Sequence, residues 1–169
     1  AKASELIKQA DIPAIAQWTE SLLGAKSTKV HRIRQISDGS IAPYSEERVR
    51  ERMPDKSEQK KLIERDGHHC RFCGIPVIDA EVRKRIRKVY PEALRWGRKN
   101  SEQHTAFQCM WLTFDHVVPH SRGGDNSLDN MIVTCQPCNC GKEGYALEEL
   151  GLIDPRTRLP VQSDWDGLE

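Results

Sequence analysis

The chain has 169 residues, 37% hydrophobic and 30% charged, with a formal net charge of +1. That length suits one full domain with a small appendage, no apolar run is long enough to span a bilayer, and so balanced a total says nothing about nucleic acid. The distribution says more: residues 61–110 carry 11 Lys and Arg against 6 Asp and Glu, residues 111–169 carry 4 against 10, and residues 1–60 carry 11 against 9. We read a cytoplasmic protein with a basic middle and no membrane partner.

Residues 1–60 read as a helical N-terminal extension. Leu6, Ile7, Ile12, Ile15, Trp18, Leu22 and Leu23 form an imperfect helical pattern across Ser4 to Leu23, broken at Pro13. Lys26 to Arg34 is basic, Asp38-Gly39-Ser40 is loop, and Ser45 to Arg65 is predicted as a helix capped by Ser45 and interrupted at Pro54. A helical brace on the core and a binding surface are both open readings here.

Next comes Cys70-Arg-Phe-Cys73, and well after it Cys135-Gln-Pro-Cys138. A Cys-x-x-Cys turn delivers two thiolates to one side of a metal, so two such turns complete a tetrahedral zinc shell. A shell closed by four cysteines is structural, with no open position for catalysis. Disulfides fit a reducing compartment poorly. Cys109 and Cys140 remain as a core residue and a bystander, or as substitute ligands. A redox role for the pairs lacks the βαβ context it would need.

Between the pairs lies a basic segment, around residues 79–100. Val82, Ile86, Val89 and Tyr90 recur at helical spacing, which predicts a helix with Arg83, Lys84, Arg87 and Lys88 on its exposed side, capped by Asp79 and stopped by Pro91. Such a face is either a solvated helix surface or a phosphate rail that grips duplex backbone without reading sequence. Trp96, Arg95, Arg98 and Lys99 extend its character, whereas Trp111 and Trp165 read as packing residues.

Met110 to Val118 reads as a strand, Ser121 to Asn130 as turn, Met131 to Thr134 as a second strand, and a helix is expected from about Pro137. Asp115-His116 ends the first strand. Taken singly, Asp115 is a strand-end residue and His116 a core histidine. Because neighbours on a regular strand face opposite ways, a distorted strand end is expected where both are to reach one ion, with Pro119 limiting further pairing. His120 reads equally as a metal or phosphate contact and as an exposed loop histidine. Residues 151–169 form an acidic, Pro-punctuated tail, either an ordered wrap or a linker.

At these residues the chain resembles the HNH endonucleases, nucleases built on a ββα-metal (His-Me finger) motif. The likeness rests on Asp115-His116-Val-Val-Pro119, Ser121-Arg122-Gly123-Gly124, Asp129-Asn130 and Cys135-Gln-Pro-Cys138-Asn139, followed by Lys142 and Gly144, all in order. It spans about residues 60–145 with a long insertion, and its last histidine is Asn139 here. The resemblance implies an α+β fold: a ββα-metal core over residues 61–150, stapled by the zinc, with added helices upstream and in the insertion.

It further implies that Asp115 and Asn139 bind one catalytic Mg²⁺ or Mn²⁺, that His116 is the general base, and that Asn130 holds the loop orienting His116. Arg122 and Lys142 join Arg83, Lys84, Arg87 and Lys88 as candidate nucleic-acid contacts. The chemistry agrees. A histidine titrates near neutral pH and can deprotonate water, and a carboxylate with an amide oxygen suits a hard divalent ion. The expected activity is hydrolysis of DNA phosphodiester bonds. The alternative is a non-catalytic, zinc-stapled nucleic-acid-binding module. Oligomeric state, a homodimer included, is left open by the sequence.

Overall fold

The computed structural model describes residues 53–168 together with Pro13. The patterns expected over Ser4–Leu23 and Lys26–Arg34, and the Ser45 cap, lie outside the described residues. Helix α1 spans Lys56–Asp66 and starts at Asp55, whose carboxylate accepts from Glu58 N while Glu58 Oε2 accepts from Asp55 N, each at 2.8 Å. This reciprocal box satisfies two donors at the helix start. Pro54 stands one residue before that cap, so the helical pattern is broken there as expected, since the residue before a proline is driven from helical geometry and Met53 lies in a bend.

Helix α2, Ala80–Val89, begins as expected with Asp79 accepting from Glu81 N at 2.7 Å and ends at Tyr90, one residue before Pro91. A short α3, Thr105–Cys109, leads into strand β1, Leu112–His116. Strand β2, Met131–Cys135, pairs antiparallel with β1 in continuous register, from Leu112 opposite Cys135 to His116 opposite Met131. Helix α4, Gln136–Lys142, follows at once with Pro137 in its first turn. The architecture is α+β, and its centre is the expected strand, loop, strand, helix.

Leu62, Val77, Leu112, Phe114, Met131 and Val133 form the buried core with Cys70 and Cys135. Asp66, at the end of α1, is buried, and its Oδ2 accepts from Val133 N at 2.9 Å. Arg71 N donates to Val133 O at 2.9 Å. These contacts occupy the outer edge of β2. The tail is an ordered wrap: the Arg71 guanidinium donates to Pro155 O, Arg158 donates to Arg71 O and Phe72 O, and Trp165 Nε1 donates to Val77 O at 3.0 Å. No described helix is long and apolar enough to cross a membrane.

Candidate active site and sulfur cluster

The sulfur atoms of Cys70, Cys73, Cys135 and Cys138 all lie within 4.8 Å of one another, and those of Cys73 and Cys135 are 3.7 Å apart. Four sulfurs at Zn–S distances of about 2.3 Å in a tetrahedron sit roughly 3.8 Å apart, so the spacing fits zinc. Electrostatics points the same way. Donation from Cys135 holds the Cys70 thiol far below the usual range, while the Cys138 contact and the crowding push that of Cys135 far above it. Four thiols this close cannot all ionise without a cation among them, and the donor set could hold zinc.

Beside the cluster, the ladder decides what β1 shows to solvent. In an antiparallel pair alternate residues turn their backbone groups outward, here Leu112, Phe114 and His116. Ile78 O takes Leu112 N at 3.1 Å, and beyond that point α4 replaces a third strand. Asn139 Nδ2 donates to Phe114 O at 3.1 Å and to Thr113 Oγ1 at 3.2 Å, and Lys142 Nζ donates to His116 O at 2.7 Å. Asn139 and Lys142 stand three residues apart and share one helix face. Asn139 thus spends its NH₂ on the strand.

The resulting cleft, about 430 Å³, runs along this edge and is lined by Met53, Thr113, Phe114, Asp115, His116 and Asn139 among others. The expected distortion between Asp115 and His116 is absent, because the register continues through both and on to Val117 N, which donates to Asn130 O at 2.7 Å. The two residues reach one cleft because it lies along an edge, where both faces of a strand meet.

Asp115 and His116 are each less than 10% exposed. Burial pushes the Asp115 carboxyl up to about 6, against the opposing pull of Lys142. Lys142 Nζ stands 3.5 Å from Asp115 Oδ2, and burial lowers its own pKa. Both shifts state that desolvation outweighs the pairing. Asp115 Oδ2 is buried and accepts no hydrogen bond among the described residues. A desolvated, under-compensated carboxylate oxygen in a cleft that Asn139 also lines is a fitting donor for a hard cation.

The loop between the strands is closed by Asn130. Its Oδ1 accepts from Val118 N at 2.8 Å, and its Nδ2 donates to Val118 O at 3.1 Å and Asp125 O at 2.9 Å. Gly124 lies so close beneath that an added Cβ would fall 1.9 Å from Val118 O. In the Gly-Gly motif, Gly124 is thus a packing requirement, whereas Gly123 takes a left-handed φ of +86°. His116 Nε2 lies 2.8 Å from Asn126 Oδ1, and the His120 ring centroid lies 5.6 Å from that of His116.

Three expected nucleic-acid contacts need correction. Arg83 is buried, its guanidinium carbon 3.8 Å from the Trp96 ring centroid and 4.5 Å from that of Trp111. Standing three residues before Ile86, it falls on the helix stripe that packs inward. Lys142 is buried against Asp115 and His116. Arg122 is mostly buried and paired with Glu149 at 2.9 Å. Lys84, Arg87 and Lys88 are exposed as expected, and Arg85, which the spacing did not single out, joins them. Asn126 and Asp66 were missed too: each acts on a residue distant in sequence and carries no local pattern.

Residues 98–144 match the family model described as HNH endonuclease. That segment contains Asp115, His116, Asn130, Asn139 and the second cysteine pair, while Cys70 and Cys73 join from upstream. No curated protein and no solved structure matches the chain. The strand, loop, strand and helix that line the edge cleft thus lie within the segment that matches the HNH endonuclease family model.

Proposed function

We propose that the protein is a metal-dependent endonuclease that hydrolyses DNA phosphodiester bonds at the β1 edge. The observation that carries this reading is the convergence of a buried, under-compensated Asp115 carboxylate, the Asn139 amide and the His116 imidazole on one open cleft. His116 takes a proton from water, the resulting hydroxide forms a bond to phosphorus, and the bond from phosphorus to the 3′ oxygen breaks. A divalent cation, Mg²⁺ or Mn²⁺, held by the Asp115 carboxylate and Asn139 Oδ1 would supply positive charge to the scissile phosphate and the departing oxygen.

Asn130 serves by fixing the loop over His116, and the four cysteines by holding a structural zinc that positions α4. Residues 61–150 would act as the nuclease domain in the cytoplasm, with residues 1–60 an N-terminal extension and 151–169 a tail. The inserted helix α2 would meet DNA phosphates through Lys84, Arg85, Arg87 and Lys88. A general positive surface without a working site would leave a zinc-stapled binding module.

Supercoiled plasmid, incubated with zinc-loaded protein and Mg²⁺ or Mn²⁺, separates the two. Conversion to open-circular or linear DNA, lost when the divalent ion is withheld and lost in His116→Ala, supports the nuclease. Retained cleavage by pure His116→Ala would refute the assignment of the base. Binding without cleavage would favour the module.

A further inference from the structure

We propose that Asn126 is a positioning residue for His116, accepting the Nε2–H of the imidazole so that the Nδ1 lone pair receives the proton from water. This rests on the nuclease reading and adds to it a residue that neither the motif nor the family match singles out. A neutral imidazole carries one N–H, and an amide oxygen can only accept. With His116 Nε2 at 2.8 Å from Asn126 Oδ1, the proton belongs on Nε2 and the basic lone pair on Nδ1.

The loop holds Asn126 from both sides. Asp125 Oδ1 accepts from Ser127 N at 3.1 Å and Ser127 Oγ at 2.7 Å, and Asp125 O accepts from Asn130 Nδ2. Ser127 O accepts from both Asn130 N and Met131 N at 3.0 Å. The backbone on either side of Asn126 is therefore pinned, and Asn130 acts on His116 through Asn126. In the proton step, one water O–H breaks and its proton bonds to Nδ1. The imidazolium keeps its Nε2–H on Asn126, and the hydroxide oxygen attacks phosphorus. The departing 3′ oxygen carries away the electron pair and is protonated by water.

The test uses the full zinc-loaded chain with ¹⁵N-labelled histidine. A long-range ¹H–¹⁵N spectrum, taken where the ring is neutral and assigned with His116→Gln, reads the tautomer directly. Wild type and Asn126→Asp, which can only accept, should both show the Nε2–H pattern. Asn126→Leu should show an Nδ1–H population and lose roughly 10–100-fold in kcat with little change in KM for DNA, by analogy with the cost of removing the outer partner of a metal-ligating histidine. Asn126→Asp should stay within about tenfold of wild type, above the leucine variant.

An Nδ1–H pattern in wild type overturns the proposal even if Asn126→Leu fails to fold. A folded Asn126→Leu that cleaves like wild type overturns this inference alone. A wild-type chain that cleaves nothing overturns the nuclease reading along with it.

Discussion

The sulfur cluster and the β1 edge are built from the same pieces, a strand end and the first turns of α4, yet they do opposite work. At the cluster, four soft donors converge within 4.8 Å and leave no open position. At the edge, Asp115, His116 and Asn139 line an open cleft, and Asn139 Nδ2 and Lys142 Nζ are spent on Phe114 O and His116 O. Saturated coordination gives stability, whereas incomplete coordination leaves room for substrate.

The sharpest way to break the comparison is at the cluster. Cys70→Ser, or removal of zinc by a chelator, should abolish cooperative unfolding, because zinc binding to such sites contributes on the order of 10–16 kcal/mol coupled to folding. Circular dichroism melts alongside metal analysis would check it, and a metal-free chain that melts cooperatively would sink the staple. His116→Ala should do the reverse. We expect a melting temperature near wild type and a loss of roughly 10²–10⁴ in cleavage rate, the range for a general base.

The loop between the two regions should give an intermediate effect. Asn130→Ala removes three hydrogen bonds, two of them to Val118, and leaves Val118 N and O without partners over Gly124. Each part-buried hydrogen bond contributes about 0.5–1.5 kcal/mol, so a destabilisation of roughly 2–4 kcal/mol is expected for the three in urea unfolding, with cleavage reduced in the fraction that remains folded. A change below about 0.5 kcal/mol would mean the loop closes without Asn130.

How much of this the sequence disclosed follows from the range of each interaction. Paired cysteines, the Asp79 cap, Pro137 in a first turn and the two strands are local signals, and the structure has all of them. The side-chain face of Arg83 was misread because hydropathy alone ranks arginine outward, although its spacing from Ile86 puts it on the inward stripe. Two tryptophans far along the chain provide the aromatic slot that admits it. Asp66 capping Val133 N, and Asn126 meeting His116, join residues 67 and 10 positions apart, and no periodicity records such pairings. The edge cleft itself was illegible, because whether β1 has a neighbour on its outer side is a property of topology.

Helix α2 supplies the finest version of the comparison, since two arginines four residues apart should now part company. Arg83→Ala removes a guanidinium stacked on Trp96 and Trp111 and opens a gap in a packed layer. A loss of roughly 1–3 kcal/mol in stability is expected, from the cation–π interaction and the side-chain packing together. Arg87, one turn further along the helix, is exposed, so Arg87→Ala should leave the melting temperature within about a degree. If α2 is a phosphate rail, that variant should flatten the salt dependence of DNA binding, lowering the log–log slope by about one, the share of a single neutralised phosphate. Fluorescence anisotropy of a labelled duplex from low to moderate salt measures the slope. An unchanged slope in Arg87→Ala, and also in Lys88→Ala, would return the helix face to solvent and confine DNA binding to the cleft at β1.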